Sequence, residues 1–224
     1  MSATIRVSSG DARLIPAADA LERLRQGNRR FVAERARRGS GQTAGRRAEI
    51  AESQEPFAII LGCSDSRVPA ELVFDQGLGD LFVIRVAGNI VAPSQVGSVE
   101  FAAERFNTRL VVVLGHTQCG AVTATLEQLR RPVSGQSRNL KSIVDLIKPA
   151  VKHLINPDGT PHDETLVSRA VRANVRASAD HLRHGSPVLE QLIQTSGLLV
   201  VGAEYSLDTG VVDFFDGVTG DRQR

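Results

Sequence analysis

Apolar residues fall along this chain in short unbroken runs separated by longer stretches of helical period. The runs lie at residues 57–61, 81–86, 110–114 and 198–202. Continuous runs of this length, closed by Gly and polar residues, predict strands buried on both faces of a parallel sheet. A fifth run at 211–215 alternates weakly behind the turn Asp208-Thr209-Gly210 and predicts an edge strand. Between the runs, apolar spacing predicts helices at about 16–37, 94–106, 120–129, 140–155, 163–182 and 187–194. Ala20, Leu21, Leu24, Phe31 and Val32 mark the inner face of the first; Gly27-Asn28 is expected to divide it in two. Val96, Val99 and Ala103 share a face of the second. Pro149 is expected to break the fourth, and Asp163 to cap the fifth, whose inward residues are Leu166, Ala170 and Val171. Residues 131–138 and Asn156-Pro157-Asp158-Gly159 read as a loop and a turn. Residues 1–14 show no clear pattern and predict a loose start, and residues 16–50 read as a helical arm. Strands alternating with helices predict one α/β domain over residues 1–224, a mostly parallel sheet of four strands plus an edge strand, flanked by helices.

Two of these strands end in candidate chemistry. The first is followed by Cys63-Ser64-Asp65-Ser66-Arg67, the third by His116-Thr117-Gln118-Cys119, and these are the chain's only cysteines. Open α/β sheets hold their sites at the carboxyl ends of their strands. Two thiolates and an imidazole suit Zn2+, with a fourth position left for water, substrate or Asp65. An open position points to an enzyme, since structural zinc sites are closed. Two other readings stand beside this one: buried inert cysteines, and a disulfide. His153, His162, His181 and His184 have no ligand context and are expected at the surface. Arg67, two residues beyond Asp65, can hold that carboxylate through two parallel hydrogen bonds, keeping it ionised and off the metal. If the pair opens, Asp65 takes the fourth position and the site is closed.

Composition narrows the setting. A length of 224 residues, 42% hydrophobic and 23% charged, suits a globular domain with a substantial core. The net charge of +2 gives no ground for nucleic-acid binding, and no stretch is long and apolar enough to span a membrane. Arg23, Arg25, Arg29, Arg30, Arg35, Arg37, Arg38, Arg46 and Arg47 crowd one stretch, read as a solvated helix face and loop. The amino terminus has no apolar signal core, so a cytoplasmic location is expected, where thiols stay free for metal or catalysis.

The two motifs together, C-x-D-x-R followed by H-x-x-C, resemble those of the β-class carbonic anhydrases, here of bacterial type. The likeness extends to Leu24-Arg25-Gln26-Gly27-Asn28-Arg29-Arg30-Phe31, to Val68-Pro69-Ala70-Glu71, to Asp75-Gln76-Gly77 and to the segment from Leu81 to Asn89. It covers roughly residues 20 to 216. The resemblance implies reversible hydration of CO2 to bicarbonate and a proton by a hydroxide on zinc. It implies one Zn2+ per subunit held by Cys63, His116 and Cys119, Asp65 and Arg67 as catalytic and gating dyad, and Asp65 as a conditional ligand of a closed state. Gln54, Phe82, Ala87, Phe101 and Gly120 match positions around the substrate. Some bacterial members carry a regulatory bicarbonate site built from a Trp, an Arg and a Tyr. Arg85 and Tyr205 match the last two, and Gly62 fits that subgroup, but Ile60 stands in the Trp position and the chain has no Trp. Bicarbonate control is therefore expected to be weakened or different. A homodimer, or a dimer of dimers, is implied. A carbon disulfide or carbonyl sulfide hydrolase on the same scaffold, a non-catalytic zinc-binding bicarbonate sensor and a thiol redox protein are the alternative readings.

Overall fold

The run at 57–61 folds as strand β1 (Ala58–Gly62) and the run at 110–114 as β3 (Leu110–His116), both buried from end to end. The computed structural model describes residues 14–36, 43–131, 137–155 and 165–218. The expectations for residues 1–13, Arg37, Arg38, His162, Asp163, the turn at 156–159 and most of the loop at 131–138 lie outside them. Strand β2 (Leu81–Arg85) pairs with β1, and β4 (Leu199–Tyr205) with β3, all parallel; β5 (Val212–Asp216) joins β4 antiparallel. The order is β2-β1-β3-β4-β5, the expected four parallel strands and an edge strand.

Because side chains alternate along a strand, each buried run feeds two layers. Ala58, Ile60, Leu110, Val112, Leu114, Val201 and Ala203 face one side, where Ala20, Leu21 and Leu24 of helix α1 (Ala17–Val32) close the core. Ile59, Leu61, Val111, Val113 and Val200 face the other, under α4 (Pro93–Arg105), α7 (Leu166–His184) and α8 (Pro187–Ser196). A third cluster contains Cys63, Cys119, Ile90, Val122, Ile147 and Val171, where α5 (Gly120–Arg130), α6 (Arg138–Val151) and α7 meet. The arm also carries α2 (Ala44–Ile50), capped by the Thr43 hydroxyl, which accepts from the Arg46 amide at 3.1 Å. A short helix α3 (Ala70–Val73), which the pattern did not predict, follows the first motif.

Two expected helix breaks are absent. Helix α1 runs through Gly27-Asn28 because these residues dock it. A Cβ on Gly27 would lie 1.8 Å from the Phe74 carbonyl oxygen, so only glycine lets the helix approach α3 this closely. The buried Asn28 amide donates to Val73 O at 3.1 Å and Gly210 O at 2.8 Å, and its oxygen accepts from Val212 N at 2.9 Å. Helix α6 continues through Pro149 to Val151. Proline there falls in the last turn, where the missing N–H removes a single ladder bond.

Candidate metal centre

Each half of the site is shaped by the strand that ends in it. Beyond β1 the chain turns at once, with Val68 N donating to Asp65 O at 3.0 Å. Beyond β3 it is stitched to the neighbouring strand: Thr117 N donates to Tyr205 O at 2.9 Å and the Thr117 hydroxyl accepts from Leu207 N at 3.0 Å. Gln118 then adopts φ 56°, an uncommon conformation for a residue with a side chain, and turns the chain so that Cys119 opens α5. The result brings the ligand atoms of Cys63, His116 and Cys119, all buried, within 4.8 Å of one another.

The protonation pattern suits a cation. His116 Nδ1 lies 2.8 Å from Thr117 O. A carbonyl only accepts, so the proton sits on Nδ1 and the lone pair on Nε2. That Nε2 is fully buried and has no hydrogen-bond partner, a costly state unless a metal takes the lone pair. The two sulfurs differ in acidity. The Cys119 thiol donates to Cys63, which pulls the Cys63 thiol down to about 4 and pushes the Cys119 thiol up. Gly88 N–H also donates to Cys63 Sγ, at 3.3 Å. A buried imidazole nitrogen with no hydrogen-bond partner, grouped with two sulfurs, fits a borderline-soft ion such as Zn2+. Both cysteines are free, and among the described residues there is no disulfide.

Beside this cluster, Arg67 grips Asp65 in a fork. Nε donates to Oδ1 at 2.9 Å and Nη2 to Oδ2 at 2.8 Å, while Arg67 N donates to Oδ1 at 3.0 Å. These bonds hold the Asp65 carboxyl well below the usual carboxylate range. Asp65 Oδ2 lies 3.8 Å from His116 Nε2.

The other predicted residues are spread more widely. Ala87 precedes Gly88 in a short 3-10 turn, Ala87–Asn89, next to Cys63. Gly120 begins α5, with open space where its side chain would be. Gln54 is exposed ahead of β1. Phe82 and Phe101 join Phe106 in an aromatic group with ring centroids 5.6 to 6.3 Å apart; Phe82 and Phe106 pack against the second core layer and not the layer holding the cysteines, while Phe101 is exposed. Ile60 and Tyr205 share the α1 side of the sheet, on strands separated by β3. Tyr205 packs on Phe31, while Arg85 Nε and Nη2 donate to Cys63 O at 3.0 Å and Asp65 O at 2.6 Å. His153, His181 and His184 are exposed, as expected. Sequence reasoning missed Gly88, which donates to Cys63 Sγ, and Asn174 and Ser178, which bond the turn that carries it. The signal was available for the latter two: they are polar residues at helical spacing within the apolar face of α7.

A buried Cys2His set beside a carboxylate held by an arginine is an arrangement that can hold a metal ion. Comparison with known proteins narrows the class. Residues 58–212 match the family described as carbonic anhydrase. The chain is 39% identical to carbonic anhydrase 2 of Mycobacterium tuberculosis over 187 residues, 84% of this chain and 87% of the relative. Its fold is similar to the Coccomyxa β-carbonic anhydrase solved with acetazolamide (TM-score 0.67, 24% identity, 87% of this chain and 86% of that one). It is also similar to a β-carbonic anhydrase of Sordaria macrospora, one of two described as tetrameric (TM-score 0.65, 23% identity, 85% and 93%). The chain belongs to the carbonic anhydrase family, in its β class, and is an enzyme of that kind. Among the described residues no helix is long and apolar enough to cross a membrane.

Proposed function

We propose that this enzyme holds one Zn2+ through Cys63, His116 and Cys119 and interconverts CO2 with bicarbonate and a proton. The observation that carries this reading is the buried, unbonded Nε2 of His116 grouped with two sulfurs, with the Asp65–Arg67 pair beside it. When bound, zinc supplies the acidity that makes water a nucleophile near neutral pH. Two thiolates cancel the ion's charge and weaken that acidity, so the neighbouring carboxylate matters more than in an all-histidine site. Asp65 Oδ2 accepts a hydrogen bond from the attacking water and aims its remaining lone pair at carbon. Arg67 keeps Asp65 ionised and directed away from the fourth position; when the pair opens, Asp65 is the carboxylate that reaches it. Ala87 and Gly120 leave room for substrate; Gln54, Phe82 and Phe101 are assigned to the substrate region by family resemblance alone, the two rings packing with Phe106 away from the cysteine cluster of this chain. Arg85 is engaged with the Cys63 and Asp65 carbonyls. With Ile60 in the Trp position, this supports weakened bicarbonate control at Arg85 and Tyr205. The domain spans residues 1–224, acts as a homodimer or dimer of dimers in the cytoplasm, and binds neither nucleic acid nor membrane. The tetrameric state given for the Sordaria proteins supports the assembly.

The test is stopped-flow CO2 hydration by zinc-quantified protein, before and after chelation and zinc restoration, at neutral and alkaline pH. Hydration that follows zinc content is expected, rising with pH. Zinc-loaded protein that leaves CO2 untouched at both pH values overturns the reading, and carbonyl sulfide is then the substrate to try.

A further inference from the structure

Helix α7 turns a stripe of apolar residues inward, among them Val171, Val175, Ala179 and Leu182. Asn174 and Ser178 interrupt that stripe, and both are buried. A buried amide or hydroxyl is unfavourable unless it is bonded. Both find partners in one place: Asn174 Nδ2 donates to Gly88 O at 2.7 Å, and the Ser178 hydroxyl to Asn89 O at 3.0 Å. The turn they hold is an unusual one, with positive φ at Gly88 (70°) and at Asn89 (43°). It is boxed in from the far side as well. A Cβ on Gly88 would lie 2.8 Å from Ile147 Cδ1 on α6 and 3.0 Å from Ala121 Cβ on α5. This conformation delivers the Gly88 N–H to Cys63 Sγ.

We propose that Asn174 is a positioning residue for Cys63, its amide holding the Gly88 turn so that the Gly88 N–H stays bonded to the ligating sulfur. The proposal rests on the zinc reading given above. An N–H···S bond draws charge out of a thiolate and leaves it a weaker donor, so the metal keeps more of its own charge. In a site whose two thiolates already cancel the ion, this is the direction that favours acidifying water. Asn174 touches neither metal nor substrate; it acts through the turn.

The experiment compares N174L, branched like asparagine but larger and unable to donate, with wild type and with L182A. Leu182 is buried on the same helix and serves as a control for lost packing. Three quantities are read: zinc release to a chromogenic chelator, the sulfur-to-metal charge-transfer band of the Co2+-substituted protein, and the urea midpoint. N174L is expected to release zinc about tenfold faster, because the turn no longer holds Cys63 in place for the metal, and to shift the band to lower energy, because the sulfur freed of its N–H donates more strongly. L182A is expected to lower the midpoint while leaving release and band at wild-type values. Should N174L not fold, N174A carries the same test. Wild-type release and band in the Asn174 variants, whatever their midpoint, overturn the proposal. A wild-type protein that takes up neither metal overturns the zinc reading itself.

Discussion

Val175 on α7 fits over two glycines at once, and this contact can be tested by adding a single methyl group. A Cβ on Gly115, the residue before His116, would lie 2.5 Å from Val175 Cγ2 and 3.3 Å from Val171 Cγ1. A Cβ on Gly202, on the adjacent strand, would lie 2.9 Å from Val175 Cγ1. Carbon atoms in good contact sit about 3.5–4.0 Å apart, so G115A must open the helix–sheet contact by about 1 Å. The valine cannot rotate away, because a β-branched residue in a helix has one strongly preferred χ1. Overpacking of this kind costs about 1–3 kcal/mol, and with two methyls caught between two strands we take about 2 kcal/mol. V175A alone removes two buried carbons, about 1.6 kcal/mol of transfer energy plus a cavity term, for about 2–3 kcal/mol. In the V175A background the new methyl enters space already vacated, so G115A should then cost close to nothing. The double-mutant cycle should therefore show a coupling of about 2 kcal/mol in the favourable direction. The assay is urea unfolding with zinc and protein concentration held fixed, because both shift the apparent midpoint. Costs that add to within about 0.5 kcal/mol would falsify the packing argument. An unchanged midpoint in G115A alone would do the same.

Three further outcomes are expected. R67Q removes the fork that orients Asp65, and should lower the CO2 hydration rate about ten- to hundredfold with zinc content unchanged; loss of zinc instead would assign Arg67 a structural role. G27A adds a better helix former, worth about 1 kcal/mol, yet drives α1 off the Phe74 carbonyl and strains the three bonds of Asn28 at about 1 kcal/mol each, for a net loss of about 2 kcal/mol; a raised melting temperature would refute this. Burial raises the pKa of Glu204, whose Oε2 meets Arg172 at 3.2 Å while Oε1 has no partner. The folded protein then binds the Glu204 proton more tightly than the unfolded chain, so this residue's contribution falls as pH rises from its unfolded pKa of about 4.3 through its higher folded one. Subtracting the urea midpoints of E204Q from those of wild type between about pH 4 and 7 should isolate that downward slope, and a flat or rising difference contradicts it.

Much of this protein was legible along the chain because its strands are buried on both faces. Such strands must read as unbroken apolar runs, so β1 and β3 announced themselves, and the motifs behind them announced a metal. Cys63, His116 and Cys119 could be grouped from sequence because topology sends adjacent parallel strands to a common end, whatever the details of packing. What sequence alone could not decide were the contacts made across the fold. Gly27 and Asn28 look like a helix break until Phe74, Val73 and Gly210 are placed against them; then the missing Cβ and the amide become a docking surface. Phe82 and Phe101 match substrate positions in sequence, yet both contact Phe106, Phe82 in a different layer from the cysteines and Phe101 at the surface. Asn174 is 86 residues from Gly88 in the chain, and no local pattern ties its amide to the turn that faces Cys63. Local periodicity sets which residues are buried, and chain direction sets which strand ends meet. Which buried polar atom finds which partner is settled only when the layers close, because those bonds join residues far apart in the chain.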